Sequence, residues 1–185
     1  MGFISSLFGF IIAAVLYVFI LRMILTVCKI DSNNHLYKEI NDYTMPLTEP
    51  FKKIIGKNAI SQYDLPCLLA IFIIEVVHGV VSSLLDFGTW IAFWKLPLFV
   101  VIDPFVYVFN LLFFAMILRL LFNWYSPALL SPIREAVQAI TQPFLDHSSK
   151  VIPASGGFEV GAVFWLIAFK FVSYMIIGAF ISYLH

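Results

Sequence analysis

The chain has 185 residues, of which 62% are hydrophobic and only 12% charged, and its mean hydropathy is +0.97. So few polar side chains cannot cover a soluble globule, and the composition places the chain in a bilayer. A formal net charge of zero makes no case for nucleic acid or an acidic substrate as partner, so the position of each charge carries the information.

Four apolar runs are long enough to cross a hydrocarbon core of about 30 Å at about 1.5 Å per residue: Phe3 to Cys28, Leu65 to Asp86, Phe99 to Trp124 and Val160 to Leu184. The first has no positive n-region, is too long for a signal-peptide core and ends in Arg22 and Lys29 rather than a small-residue cleavage site, so it is expected to stay as a helix.

Between the first and second runs, Leu36, Ile40, Tyr43 and Leu47 fall at helical spacing. Between the third and fourth, Ile133, Val137, Ile140 and Phe144 do the same behind Ser131-Pro132, a good N-cap and first-turn pair. Both segments read as short amphipathic helices lying at the membrane surface, stopped by Pro50 and Pro143 because proline lacks a donor and disfavours helix before it. Lys52, Lys53 and Lys57 could hold anionic lipid beside the first of them, although such a helix can equally lie on the bilayer only to cover its own apolar face.

Most lysines and arginines lie in these two long segments, and Arg22 and Arg119 are expected to snorkel toward the same side. The positive-inside rule therefore puts both segments in the cytoplasm and both termini outside. Trp90, Trp94 and Trp124 fit an aromatic belt.

The landmarks recur about 95 residues later. Arg22 returns as Arg119, Thr48-Glu49-Pro50-Phe51 as Thr141-Gln142-Pro143-Phe144, and Asp64 as Glu159. The expected fold is therefore all-α, with four transmembrane helices built as two tandem parallel two-helix repeats, residues 1–98 and 99–185. Each repeat carries one cytoplasmic amphipathic helix. Parallel repeats imply a pseudo-two-fold axis along the membrane normal, which counts against an inverted-repeat carrier.

Glu75 and Lys170 occupy equivalent positions near the middle of the second and fourth runs. A lone charge there costs at least about 2.5 to 3.5 kcal/mol, so the two are expected to face the bundle and each other. With His78 and Ser82 after Glu75, and Ser173 and Tyr174 after Lys170, they make a polar seam. Three uses stay open: an ion pair fixing helix register, a proton or ion path through Glu75 and His78, and a haem site that would lack a second intramembrane histidine.

Little other chemistry is visible. Cys28 and Cys67 sit at span ends on the reducing side and read as free thiols. Asp103-Pro104 reads as the start of the third span. No metal motif, nucleophile elbow or phosphate-binding glycine loop is present, so no catalytic residue, cofactor or metal site is expected. Small residues at Gly9 and Ala13, Gly79 and Ser83, and Gly178 and Ser182 have the spacing of close helix contacts, within the monomer or in a homo-oligomer.

The order and duplication of these short motifs resemble the YggT (YlmG-like) family of small multi-pass membrane proteins. In that family each repeat has an apolar helix ending in Leu-Arg, a Thr-x-Pro turn, and a Gly-Gly-hydrophobic-Asp lead into the next helix. The matching positions are Leu21-Arg22, Thr48, Pro50 and Asp64 in the first half, and Leu118-Arg119, Thr141, Pro143, Gly156, Gly157 and Glu159 in the second. The first half lacks the Gly-Gly pair. The resemblance implies a non-enzymatic bacterial inner-membrane protein, an envelope scaffold or assembly factor tied to osmotic or extracytoplasmic stress tolerance, with a protein partner and no cofactor.

Overall fold

The computed structural model describes residues 3–31, 33–55, 64–87, 96–125, 130–149 and 160–184. Lys57, Gly156, Gly157 and Glu159, and with them Trp90 and Trp94, lie outside the described residues. The described chain forms six helices: α1 (Phe3–Val27), α2 (His35–Ile55), α3 (Leu65–Phe87), α4 (Leu96–Trp124), α5 (Ser131–Ser149) and α6 (Val160–Leu184). Four of them, α1, α3, α4 and α6, are long and apolar enough to span a membrane, in agreement with the four runs read from the sequence. Much of their surface is large and apolar, as at Phe10, Phe114, Ile167 and Phe171, which suits a lipid environment and not water.

Helix α4 is the hub. It packs extensively against α6 and also against α3, α5 and α1, while α1 pairs with α3. One buried cluster, centred on Leu25, Ile40, Met116, Ile140, Ala162 and Phe169, joins α1, α2, α4, α5 and α6. A second, built on Leu16, Phe19, Ile20, Cys67, Ala70 and Ile71, zips α1 to α3. Close approach is enforced at Gly79, where an added Cβ would meet the side chains of Leu96 and Phe99 at 3.0 and 3.2 Å. It is tighter at Gly161, where a Cβ would run into the Ser148 hydroxyl. A Cβ at Gly9 or Gly178 would meet nothing within 4 Å among the described residues, whereas the pair at Gly79 makes its contact within the chain.

The turn out of α1 is a Schellman motif: Ile30 N–H donates to the Leu25 carbonyl and Lys29 N–H to that of Thr26, with Lys29 at φ 52°. The chain then reverses into α2, capped by Asn34, whose Oδ1 accepts the N–H groups of Leu36 (3.0 Å) and Tyr37 (3.4 Å). Asn34 also donates from Nδ2 to the Pro132 carbonyl (3.2 Å) and to Glu135 Oε2 (3.1 Å) at the head of α5. One buried amide thus ties the starts of both polar helices together.

The structure departs from the sequence reading at three places. Pro50 and Pro143 do not stop their helices, because α2 continues to Ile55 and α5 to Ser149 with the prolines inside. Both prolines, and Pro46 as well, are exposed, so the carbonyls they orphan lie where solvent can satisfy them and the helix persists. Asp103 does not start α4. The helix begins at Leu96 and carries Asp103-Pro104 in its interior. In α2, Ile40 is buried, but Tyr43 is 80% and Leu47 53% exposed, because the inward face is completed by Thr44 and Thr48 instead.

Candidate functional site

Two polar constellations stand out against the apolar bundle. The first begins with Asp64, which caps α3 by accepting the Cys67 N–H at Oδ1 (3.2 Å). Its other oxygen, Oδ2, is bound by Arg22 of α1 through Nη2 at 2.7 Å and Nε at 2.8 Å. Arg22 reaches α2 as well, donating from Nη1 to the hydroxyls of Thr44 (2.6 Å) and Thr48 (3.3 Å). The Thr44 hydroxyl passes its own proton back to the Ile40 carbonyl at 2.7 Å. Arg22 is 3% exposed, so it does not snorkel as expected. An ion pair with an N-cap carboxylate, backed by two threonine acceptors, satisfies the guanidinium within the protein, and reaching for headgroups would gain nothing further.

A related contact ties α4 to α5. Arg119 donates from Nη1 to Thr141 Oγ1 (3.0 Å) and to Gln142 Oε1 (3.2 Å), and the Thr141 hydroxyl donates to the Val137 carbonyl (2.7 Å). The interval from arginine to threonine is 22 residues for both Arg22–Thr44 and Arg119–Thr141, and 26 for Arg22–Thr48. By that measure the position matching Thr141 is Thr44, which opens its own Thr-x-Pro at Thr44-Met45-Pro46, one helical turn before Thr48. Sequence reading missed Thr44, and the constant interval from the arginine was the signal that could have found it. Helix α5 is further fixed by an aromatic cluster, Phe144 against Trp165 (5.3 Å) and Phe169 (5.0 Å).

The second constellation lies inside the bundle between α3 and α4. Glu75 is fully buried, and its Oε2 lies 3.4 Å from His78 Nδ1. The same nitrogen is 3.9 Å from Asp103 Oδ2 of α4. Phe8 and Phe99 flank the imidazole, with ring centroids at 6.4 and 5.6 Å. Glu75 Oε1 is buried with no hydrogen-bond partner among the described residues.

Lys170 is elsewhere. Its Nζ donates to Asn110 Oδ1 of α4 at 2.9 Å and sits over the Phe113 and Tyr174 rings at 4.7 and 5.8 Å. The expected Glu75–Lys170 pair is therefore not formed. Helices α3 and α6 each pack on α4 and make no substantial contact with each other among the described residues, so similar depth does not bring the two charges together. A polar stripe does run between them, because Asp103, Tyr107 and Asn110 follow an i, i+4, i+7 pattern on α4. Tyr107 meets Tyr17 of α1 edge to face at 5.1 Å. Ser173 is buried on α6, and Tyr174 is 67% exposed. Asp103, Tyr107 and Asn110 are the members that sequence reading did not assign to the seam, the first because its proline suggested a helix start.

These features define a membrane protein of four apolar helices braced by two intervening polar ones. The chain belongs to the CCB3/YggT family, whose model it matches over residues 1–85 and 89–180. It is similar to the uncharacterised protein PA0392 of Pseudomonas aeruginosa, at 28% identity over 164 residues, covering 88% of this chain and 82% of that protein. It is also similar to an uncharacterised protein encoded in the proC 3′ region of Vibrio alginolyticus, at 27% identity over 173 residues, covering 93% and 90% of the two chains. No solved structure matches.

Proposed function

We propose that the protein acts without catalysis as an inner-membrane scaffold or assembly factor serving osmotic or envelope stress tolerance, holding α2 and α5 at the cytoplasmic face for a protein partner. The observation that carries this reading is the buried Arg22, which binds α3 and α2 at once and so fixes a polar helix rigidly on the apolar bundle. The face of α2 turned away from the bundle keeps Tyr43 and Leu47 exposed, the residue types that anchor a partner or a membrane surface. Lys52 and Lys53 near the end of α2 suit anionic lipid headgroups. The positive-inside rule supports the orientation, since Lys29, Lys38, Lys52, Lys53 and Arg134 all lie toward the polar-helix end. The matching Arg–Thr intervals and the two stretches matched by the family model support a duplicated unit with α2 and α5 as its amphipathic elements.

A second reading, a small ion or proton channel, is favoured by one observation: Glu75 meets His78 and, among the described residues, no lysine or arginine, and the stripe from Asp103 to Asn110 continues toward Lys170. Ion flux in proteoliposomes under an imposed K⁺ or proton gradient separates the two. The scaffold reading expects no flux above protein-free liposomes, together with loss of hyperosmotic growth rescue by Tyr43→Asp and Leu47→Asp at unchanged protein level. Flux that disappears in Glu75→Gln would replace it with the channel.

A further inference from the structure

Glu75, His78 and Asp103 each offer one ligand atom, and the three atoms lie within 4.8 Å of one another across α3 and α4. We propose that they form a binding site for a first-row transition-metal dication of the zinc class, a property independent of whether the protein scaffolds or conducts.

Charge is the first argument. Two carboxylates meet at one imidazole nitrogen within an apolar bundle, and the lysine at comparable depth is committed to Asn110. Carboxylates in such a place are neutralised by protons or by a bound cation, because bare charge at that depth is strongly disfavoured. A dication held by both acids and a neutral imidazole balances the site completely. An imidazolium alone balances one acid of the two.

Geometry is the second. Zinc bonds of about 2.0 to 2.2 Å to nitrogen and oxygen set tetrahedral ligand atoms about 3.3 to 3.5 Å apart. The Glu75–His78 separation of 3.4 Å already meets that requirement. The His78–Asp103 separation of 3.9 Å, and a Glu75–Asp103 separation within 4.8 Å, need Asp103 to close on both partners by up to roughly an ångström, within the reach of side-chain rotation at a group 27% exposed.

The orphan oxygen is the third. Glu75 Oε1 is buried with no hydrogen bond among the described residues, although its partner oxygen faces His78. A buried acceptor left unmade is costly, and a metal held by both oxygens of this carboxylate removes that cost. Donor chemistry then selects the ion. An imidazole nitrogen with two carboxylates suits zinc and its first-row neighbours, whereas magnesium and calcium favour all-oxygen shells. Gly79 lets Leu96 and Phe99 close over the site beside His78, and the Phe8 ring lies on its α1 side.

The test is equilibrium dialysis of the full chain, purified in detergent and stripped with chelator, against Zn²⁺ in excess Mg²⁺, with bound metal read by mass spectrometry. The expected result is one zinc per chain, with affinity falling at least about tenfold in both Glu75→Gln and His78→Gln. Lys170→Met and the surface variants His35→Ala and His147→Ala should keep it. Should the buried variants not yield monodisperse, helical protein, Asp103→Asn at the partly exposed ligand serves in their place with the same tenfold expectation. Absence of stoichiometric zinc in the wild type, or zinc retained in folded ligand variants and lost in His35→Ala or His147→Ala, would overturn the proposal.

Discussion

Arg22 and Asp64 are joined by two contacts to a single carboxylate oxygen, at 2.7 and 2.8 Å, with Arg22 only 3% exposed. Because Asp64 also caps α3 and Arg22 also holds Thr44, this pair fixes three helices relative to one another. Removing one partner strands a buried charge, which is much worse than removing both.

Asp64→Asn keeps an N-cap acceptor and removes only the counter-charge. It should therefore destabilise the protein by about 3 to 5 kcal/mol in a detergent unfolding titration. Adding Arg22→Met should recover much of that loss. Equal, additive losses would mean that the two residues do not depend on each other.

Thr44→Val is nearly isosteric and deletes the acceptor for the 2.6 Å bond from Arg22. A cost of about 1 to 3 kcal/mol is expected, with a smaller effect from Thr48→Val at its 3.3 Å contact. The same titration, run on both variants, checks the order.

Glu75→Gln and Lys170→Met should act independently, with a coupling within about 0.5 kcal/mol, since Lys170 is bound to Asn110. Asn110→Leu and Lys170→Met should couple instead. A double-mutant cycle for each pair distinguishes the two arrangements, and strong Glu75–Lys170 coupling would restore the ion pair expected from the sequence.

Burial pushes the Cys28 thiol above its usual range. A raised thiol pKa leaves it protonated and slow to react at neutral pH, so maleimide labelling should stay slow near pH 7.5. It should accelerate as pH rises through the raised value, the thiolate being the nucleophile. Cys67 is buried and donates its Sγ–H to the Phe19 carbonyl at 3.3 Å, so it should label only on unfolding.

Spans were legible in the sequence because hydropathy over some twenty residues is a local signal, and α1, α3, α4 and α6 lie where it put them. The Arg, Thr and acidic landmarks were legible as a motif, and in the first half Arg22, Thr48 and Asp64 meet. What was not legible depended on which helix stands beside which. Equal depth suggested Glu75 with Lys170, but α4 meets the two helices separately, His78 beside Glu75 approaching Asp103 and Lys170 bound to Asn110. Propensity misplaced the ends of α2 and α5, since proline is costly only where the freed carbonyl has no other partner, and these prolines are exposed. Thr44 was overlooked because hydropathy ranks threonine as neutral, while its value here lies in the guanidinium it meets.

Arg22 clamps α2 to the bundle, and an electron–electron distance between spin labels on α1 and α2 reads that clamp directly. Cys28→Ala and Cys67→Ala clear the native thiols, and labels at the exposed positions Val18 and Asp42 report the docking. One narrow distance distribution is expected, broadening in Asp64→Asn and staying narrow in Glu75→Gln. A broad distribution in the otherwise unaltered protein, or one indifferent to Asp64→Asn, would contradict it.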